Sequence, residues 1–103
     1  MKRKDELIKI LPVRLRVIFE NLPIDFKKLQ EIRLRIDKPL FLIYDNKEYF
    51  VSGQGELKEK GTGCYIVSEQ EIKETVEYMS KMCIRDRYWY MVFRNFVFLR
   101  QAL

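Results

Sequence analysis

Two stretches of the chain carry apolar residues at the spacing of an amphipathic helix. After Pro12, apolar side chains recur at i, i+3, i+4 and i+7, namely at Leu15, Ile18, Phe19 and Leu22. Further along, Ser68 is followed three residues later by Glu71, which is the capping-box spacing in which each side chain binds a backbone N–H of the other residue. These patterns predict one helix after Pro12 and another over about residues 69–81.

Between the two helices the pattern has the period of a β-strand. Apolar and charged residues alternate over 31–37, which predicts a strand with one buried and one wet face. The apolar run 40–44, the turn residues 45–47 and the segment 48–52 together predict a β-hairpin. A further short strand is predicted at 64–67.

These elements predict an α+β fold. We expect a small sheet of three to four strands, antiparallel or mixed, flanked by an N-terminal helix and by the helix at about 69–81. At 103 residues the chain has room for one domain with a modest core. No stretch is long and apolar enough to predict a transmembrane segment.

The sequence offers little for catalysis or cofactor binding. Its four glycines all lie in the loop 53–63, whose spacing matches neither a P-loop nor a dinucleotide-binding fingerprint. Two cysteines without any histidine are too few for a zinc site and fit a reducing compartment better than a disulfide framework. No pair of carboxylates has a reason to be buried as an acid–base pair. We therefore expect no catalytic, cofactor-binding or metal-binding residue in this chain.

The net charge of +5 is concentrated at the two ends of the chain. Residues 1–35 carry ten basic side chains against five acidic ones, 36–80 carry five against nine, and 81–103 carry five against one. The last segment also interleaves aromatic and basic residues, which are Trp89, Tyr90, Phe93, Arg94, Phe96, Phe98 and Arg100. One interpretation is therefore a small basic binding module that uses this tail for single-stranded nucleic acid or for a membrane surface.

Several segments in the right order resemble a known family. The most specific is 29–40, LQEIRLRIDKPL, which is followed by KEYF at 47–50. It is flanked by ILPVRLRVIFENLP at 10–23 and by YIVSEQEIKETVEYMS at 65–80. Together these segments resemble the N-terminal region of stage III sporulation protein AA, over residues 6–80.

The resemblance implies a function that the residue patterns alone do not reach. Members of this family look like secretion-type P-loop ATPases, in which a small N-terminal α+β module is joined to an ATPase core. That core works with a channel complex in the membrane between mother cell and forespore during endospore formation. The resemblance therefore implies a cytoplasmic protein on the mother-cell side, peripheral to the membrane, with channel-complex proteins as partners, a homo-oligomeric full-length form and no nucleic acid.

The family's nucleotide site lies downstream of the matching segments. ATP and Mg²⁺ are thus implied for the full-length protein only, and residues 1–80 are interpreted as a non-catalytic N-terminal module. The family-like strand and the turn after it contribute Arg33, Arg35 and Pro39, which we interpret as structural residues or as an interface.

The segment 81–103 does not fit this resemblance. Its residues Met82–Arg87, MCIRDR, are those that the transposase-end sequence of a common sequencing-library adapter encodes in one reading frame. We therefore predict that 81–103 is an artefactual tail, adapter-derived or chimeric. A foreign segment has no partner surface selected with it, so we also expect this tail to pack poorly on the module.

Overall fold

The computed structural model describes residues 2–81, 88–93 and 96–101. Within these ranges the chain forms an α+β fold, as the sequence predicts. The helices are α1 (Lys2–Lys9), α2 (Val13–Asn21) and α3 (Glu69–Lys81), with a 3-10 turn at Phe26–Lys28. The strands are β1 (Leu29–Arg35), β2 (Phe41–Tyr44), β3 (Lys47–Val51), β4 (Leu57–Lys58), β5 (Tyr88–Phe93) and β6 (Phe96–Gln101).

The described strands form a single six-stranded sheet in the order β4-β3-β2-β1-β6-β5. Every neighbouring pair is antiparallel. The prediction of three to four strands is therefore wrong in number. The two-residue β4 is too short for a periodic signal, and the hairpin β5–β6 lies in the segment that the sequence interpretation set apart from the fold.

The predicted strand at 64–67 is a single bridge in the structure, between Pro39 and Ile66. This segment runs beside the turn that follows β1, where the N–H of Leu40 donates to the carbonyl of Tyr65 at 2.8 Å and that of Val67 donates to Lys38 at 3.0 Å. A turn has only a few backbone N–H and C=O groups in the alignment that strand pairing needs. Residues 64–67 are therefore extended but pair at a single bridge instead of forming a strand.

Pro12 divides the N-terminal region into two helices where the sequence predicted one. The carbonyl of Pro12 accepts from the N–H of Arg16 at 2.9 Å, which is the first bond of α2. The guanidinium of Arg16 reaches back to the end of α1, where it donates to the carbonyls of Leu11 at 2.6 Å and Lys9 at 3.3 Å. A cation placed on terminal carbonyls satisfies groups that the helix itself leaves unpaired.

The predicted capping box at the start of α3 is confirmed. The N–H of Ser68 donates to Oε1 of Glu71 at 2.9 Å, and the N–H of Glu71 donates to Oγ of Ser68 at 3.2 Å. Both bonds satisfy backbone donors that a helix start leaves unpaired.

The three helices share one core with one face of the sheet. Phe19 and Leu15 of α2 are fully buried in that core, as is Met79 of α3 at 2% exposure. Four strands of the sheet, β1, β2, β3 and β6, contribute side chains to this core, among them Ile32, Leu34, Leu42, Val51, Val97 and Leu99. Among the residues whose side chains the structure describes, none on the opposite sheet face belongs to this cluster, and we call that face the helix-free face.

The second strand of the tail takes part in this core. Val97 is fully buried and Leu99 is 4% exposed, and β6 pairs with β1 from Glu31 to Arg35. The expectation that the tail packs poorly is therefore wrong for these residues of β6. Residues 82–87, which carry the adapter-like hexapeptide, lie outside the described part of the chain.

Among the residues that the structure describes, no helix has both the length and the apolar character needed to cross a membrane.

Candidate interaction surface on the helix-free face

The sheet register determines which side chains share the helix-free face. Directly opposed residues of an antiparallel pair lie on the same side of the sheet, and every second residue along a strand returns to it. Starting from Arg33, whose partners are Phe41 and Phe98, the register places ten residues with described side chains on this face. They are Glu31, Arg33, Arg35, Phe41, Ile43, Glu48, Phe50, Lys58, Phe98 and Arg100.

Arg33 is the centre of this face. Its guanidinium carbon lies over the rings of both cross-strand neighbours, 5.0 Å from the centroid of Phe41 and 5.6 Å from that of Phe98. Its Nε donates a hydrogen bond to Oε2 of Glu31, and the two side chains form an ion pair. The Glu31 side chain is 4% exposed and that of Arg33 is 34% exposed. Arg33 is therefore bound on three sides by its own chain, by one carboxylate and two aromatic rings.

The aromatic contacts continue from Arg33 towards the edge of the sheet. The rings of Phe41 and Phe50 pack edge to face, with centroids 5.6 Å apart. At the far side of Phe50, a Cβ placed on Gly61 would lie 3.7 Å from that ring and 3.5 Å from Cγ of Pro39. Pro39 therefore lies beside the end of the aromatic row, although it is in the turn region and bridges to Ile66.

Arg35 differs from Arg33 although both lie on the same strand and the same face. Its Nε is buried, and no hydrogen-bond partner for that atom is found in the described part of the structure. The described ion pairs include Arg33 but not Arg35. The structure thus brings the two predicted arginines together on one face but gives only Arg33 a carboxylate partner.

The helix-free face is basic. The described residues on it include four cations, Arg33, Arg35, Lys58 and Arg100, against the carboxylates of Glu31 and Glu48. Because Glu31 is already paired with Arg33, three of the cations are balanced by Glu48 alone. This arrangement favours an anionic partner.

The structure describes the side chains of only two of the aromatic and basic residues named in the segment 81–103. Within the described residues, Phe98 lies under Arg33 and Arg100 is exposed. The side chains of the other tail residues named for nucleic-acid or membrane binding lie outside the described part of the chain; they are Trp89, Tyr90, Phe93, Arg94 and Phe96.

A second feature that the sequence analysis missed lies between the starts of α2 and α3. A cavity of about 260 Å³ opens there, and Tyr65 forms part of its wall. The hydroxyl of Tyr65 donates to Oε2 of Glu71, whose other oxygen is bound by the capping box. Burial and, after it, the hydrogen bond and charge of Glu71 together raise the pKa of Tyr65 to about 12, while Arg14 acts in the opposite direction. Tyr65 lies before the start of α3, so the helical spacing that identifies Ser68 and Glu71 in the sequence does not indicate that Tyr65 contacts Glu71.

This cluster is suited to holding the segment before α3 in place rather than to catalysis. A tyrosine with a raised pKa keeps its proton at neutral pH and cannot act as a base there. Glu71 is 6% exposed and accepts from Tyr65, from the N–H of Ser68 and from the hydroxyl of Ser68 at 3.0 Å. Among the described residues, no group of three or more metal-ligating side chains is found.

The chain matches a known protein family. The sequence model of the family described as sporulation stage III, protein AA, matches residues 1–97. This match is longer than the segments at 6–80 that resemble the family, and it extends through β5 into β6. No curated protein and no solved structure matches the chain.

Proposed function

The chain belongs to the sporulation stage III protein AA family, and from this premise we propose that it is the non-catalytic N-terminal module of a sporulation ATPase. In the full-length protein this module connects an ATPase core with the channel complex between mother cell and forespore. It acts in the mother-cell cytoplasm at the membrane surface, as part of a homo-oligomer.

We propose that nucleotide binding belongs to another part of the full-length protein, and the glycine loop of this chain supports this because it does not fit a phosphate. Gly55 has a φ of +82°, and a Cβ at that position would lie 2.7 Å from Cβ of Asn21 and 3.0 Å from the carbonyl oxygen of Ile18. Glycine is therefore needed there for close packing on α2. The part of the loop that contains Gly53 and Gly55 also leads into β4 rather than into the N-terminus of a helix, where a phosphate would be bound.

The observation that supports an interaction role most directly is the helix-free face. A sheet face with half-buried aromatic rings, one closed ion pair and an excess of arginine and lysine fits a protein interface better than an enzyme pocket. Phenylalanine and arginine are both enriched at the cores of such interfaces, and arginine is among the residues that contribute most to binding energy. Arg33 holds two of the rings in this way.

Calorimetric titration of the chain with Mg²⁺–ATP tests the proposal that this module does not bind nucleotide. We expect no saturable heat of binding, and saturable binding would overturn the proposal.

The proposal that the module connects the ATPase core with the channel complex is tested in a spore-forming host, by deleting the codons for residues 1–97 from the full-length gene. We expect the remaining protein to hydrolyse ATP but to be lost from the membrane fraction of sporulating cells, with a fall in spore yield. Normal spore yield and membrane association after this deletion would contradict the proposal.

A further inference from the structure

We propose that the helix-free face binds an acidic polypeptide segment of a partner protein, and that Arg35 is the residue that binds its carboxylates. This inference rests on the proposed function, in which the module is a connector. It adds the chemical class of the partner and the residue that recognises it.

The first argument is the difference between the two arginines of β1. Arg33 already has a carboxylate in Glu31 and two rings in Phe41 and Phe98. Arg35 has a buried Nε with no hydrogen-bond partner in the described residues. The side chain of Arg35 is half-buried, its terminal nitrogens are not among the buried unpaired atoms, and it takes part in none of the described ion pairs. A carboxylate from outside the chain can therefore accept from the two terminal nitrogens together, which is a bidentate geometry that arginine favours, while the enclosed Nε stays out of its reach.

The second argument is charge complementarity. On the helix-free face, Arg35, Lys58 and Arg100 face only one unpaired carboxylate, that of Glu48. Lys58 is on the outermost strand β4, three strands away from β1, which corresponds to about 14 Å at the usual spacing between strands. Arg100 is on β6, directly beside β1. A segment with several acidic side chains can therefore contact these cations while it crosses the sheet.

The third argument concerns the choice between a polypeptide and a nucleic acid. Single-stranded nucleic acids bind a sheet by stacking their bases on exposed aromatic rings. Phe41 is 7% exposed, and the guanidinium of Arg33 lies over both Phe41 and Phe98. Phe41 therefore has little exposed surface on which a base could stack, and the Arg33 guanidinium occupies a stacking position over Phe98. Aliphatic side chains of a polypeptide can instead contact the half-buried Ile43 and Phe50 beside the cations.

Fluorescence polarisation on the full chain tests this inference. The probe is a short labelled peptide of glutamate, alanine and leucine, and its matched control has glutamine in place of each glutamate. We expect the acidic peptide alone to bind, with an affinity that falls as salt is added. In Arg35→Ala the affinity should fall roughly tenfold or more, because a charge-assisted hydrogen bond is lost.

Three variants separate the role of Arg35 from general charge and from folding. Lys28→Ala removes one positive charge from an exposed residue of the 3-10 turn and should leave peptide binding unchanged. Arg35→Lys keeps the charge but lacks the planar fork, and its affinity should lie between those of the wild type and Arg35→Ala. If Arg35→Ala does not fold, as judged by circular dichroism, Arg35→Lys and Arg35→Gln replace it in the same comparison.

The inference is overturned if the acidic peptide fails to bind, or if Arg35→Ala and Lys28→Ala behave alike. Tighter binding of an oligo-thymidine, or of phosphatidylglycerol vesicles, would also overturn it and assign the face to a nucleic acid or to a membrane. These outcomes are separate from a failure of the proposed function. Spore formation that depends on residues 1–97 would stand even if this face had no acidic partner.

Discussion

Glu31, which is 4% exposed, accepts a hydrogen bond from the guanidinium of Arg33 two residues further along the same strand. Both residues lie on the face of the sheet that the helices do not cover. A buried carboxylate is costly unless it is paired and hydrogen-bonded. The pair therefore depends on Arg33 being held in place, and the rings of Phe41 and Phe98 on either side of it supply that constraint.

Arg33→Met tests how much the fold depends on this pair. The variant keeps an apolar stem between the two rings but leaves Glu31 buried without a partner. We expect the free energy of unfolding in urea to fall by about 1–3 kcal/mol, less than for a fully buried pair because Arg33 is partly exposed.

The double variant Glu31→Gln, Arg33→Met is the matched control. It removes the uncompensated charge, so its stability should lie above that of Arg33→Met alone. Equal stability of the single and double variants would show that the charge of Glu31 is not the cause of the loss.

The sequence of β1 predicts the strand and its two faces but not the different environments of its two arginines. The alternation of Ile32 and Leu34 with charged residues predicts a strand and places Glu31, Arg33 and Arg35 together on its wet face. It cannot distinguish Arg33 from Arg35. That distinction depends on which residues of β2 and β6 lie opposite each of them, and those strands are distant in sequence.

The other features differ in the same way in how far they could be predicted from the sequence: local motifs could be predicted, and tertiary contacts could not. A capping box is a local motif, and Ser68 and Glu71 could be identified from their spacing alone. The contribution of Tyr65 to the same cluster is tertiary and leaves no periodic signal. The hairpin β5–β6 is not predicted from the sequence because the unusual composition of 81–103 suggests a foreign segment, whereas in the structure β6 pairs with β1 over Glu31–Arg35, which is distant in sequence.

The raised pKa of Tyr65 predicts a loss of stability at high pH. The folded state raises this pKa from 10.0 to about 12, chiefly by burial and then through Glu71. The protonated hydroxyl is therefore favoured by folding, and its contribution is present in full below about pH 10 and is lost as the pH rises through about 12. The tyrosinate absorbance difference between the wild type and Tyr65→Phe should titrate with a midpoint near 12.

Tyr49→Phe serves as the control in that titration because it removes a tyrosine from the hairpin and leaves the Tyr65–Glu71 bond intact. The stability of Tyr65→Phe should also depend less on pH than that of the wild type between pH 10 and 12. A difference titration with its midpoint near 10 would contradict the buried hydrogen bond.

Two glycines of the same loop provide a matched test of how that loop packs on α2. Gly55 has a φ of +82°, and an added Cβ would lie 2.7 Å from Cβ of Asn21. Gly53 has no such restriction, since its added Cβ would meet nothing closer than 3.9 Å. We expect Gly55→Ala to lower the free energy of unfolding by more than about 1 kcal/mol and Gly53→Ala to change it by less than about 0.5 kcal/mol. Similar losses in both variants would mean that the loop does not pack on α2 in this way.

The last prediction concerns whether residues 81–103 belong to the fold. Leu99 on β6 is 4% exposed and lies in the core, whereas its neighbour Arg100 is exposed on the helix-free face. We expect Leu99→Ala to lower the free energy of unfolding by about 2–4 kcal/mol, as for other buried leucines. Arg100→Ala should change it by less than about 0.5 kcal/mol.

Deleting residues 82–103 extends this test to the whole segment. Without β6, one edge of β1 is unpaired and the core loses Val97 as well as Leu99, so we expect a larger loss than in Leu99→Ala. If neither change lowers stability, the segment is no part of the fold, as the adapter-like Met82–Arg87 predicts. Sequencing the source DNA across the codons for Val76–Tyr90 then shows directly whether those residues are encoded in the genome, and a frame that continues past Ser80 without them would identify the tail as artefactual.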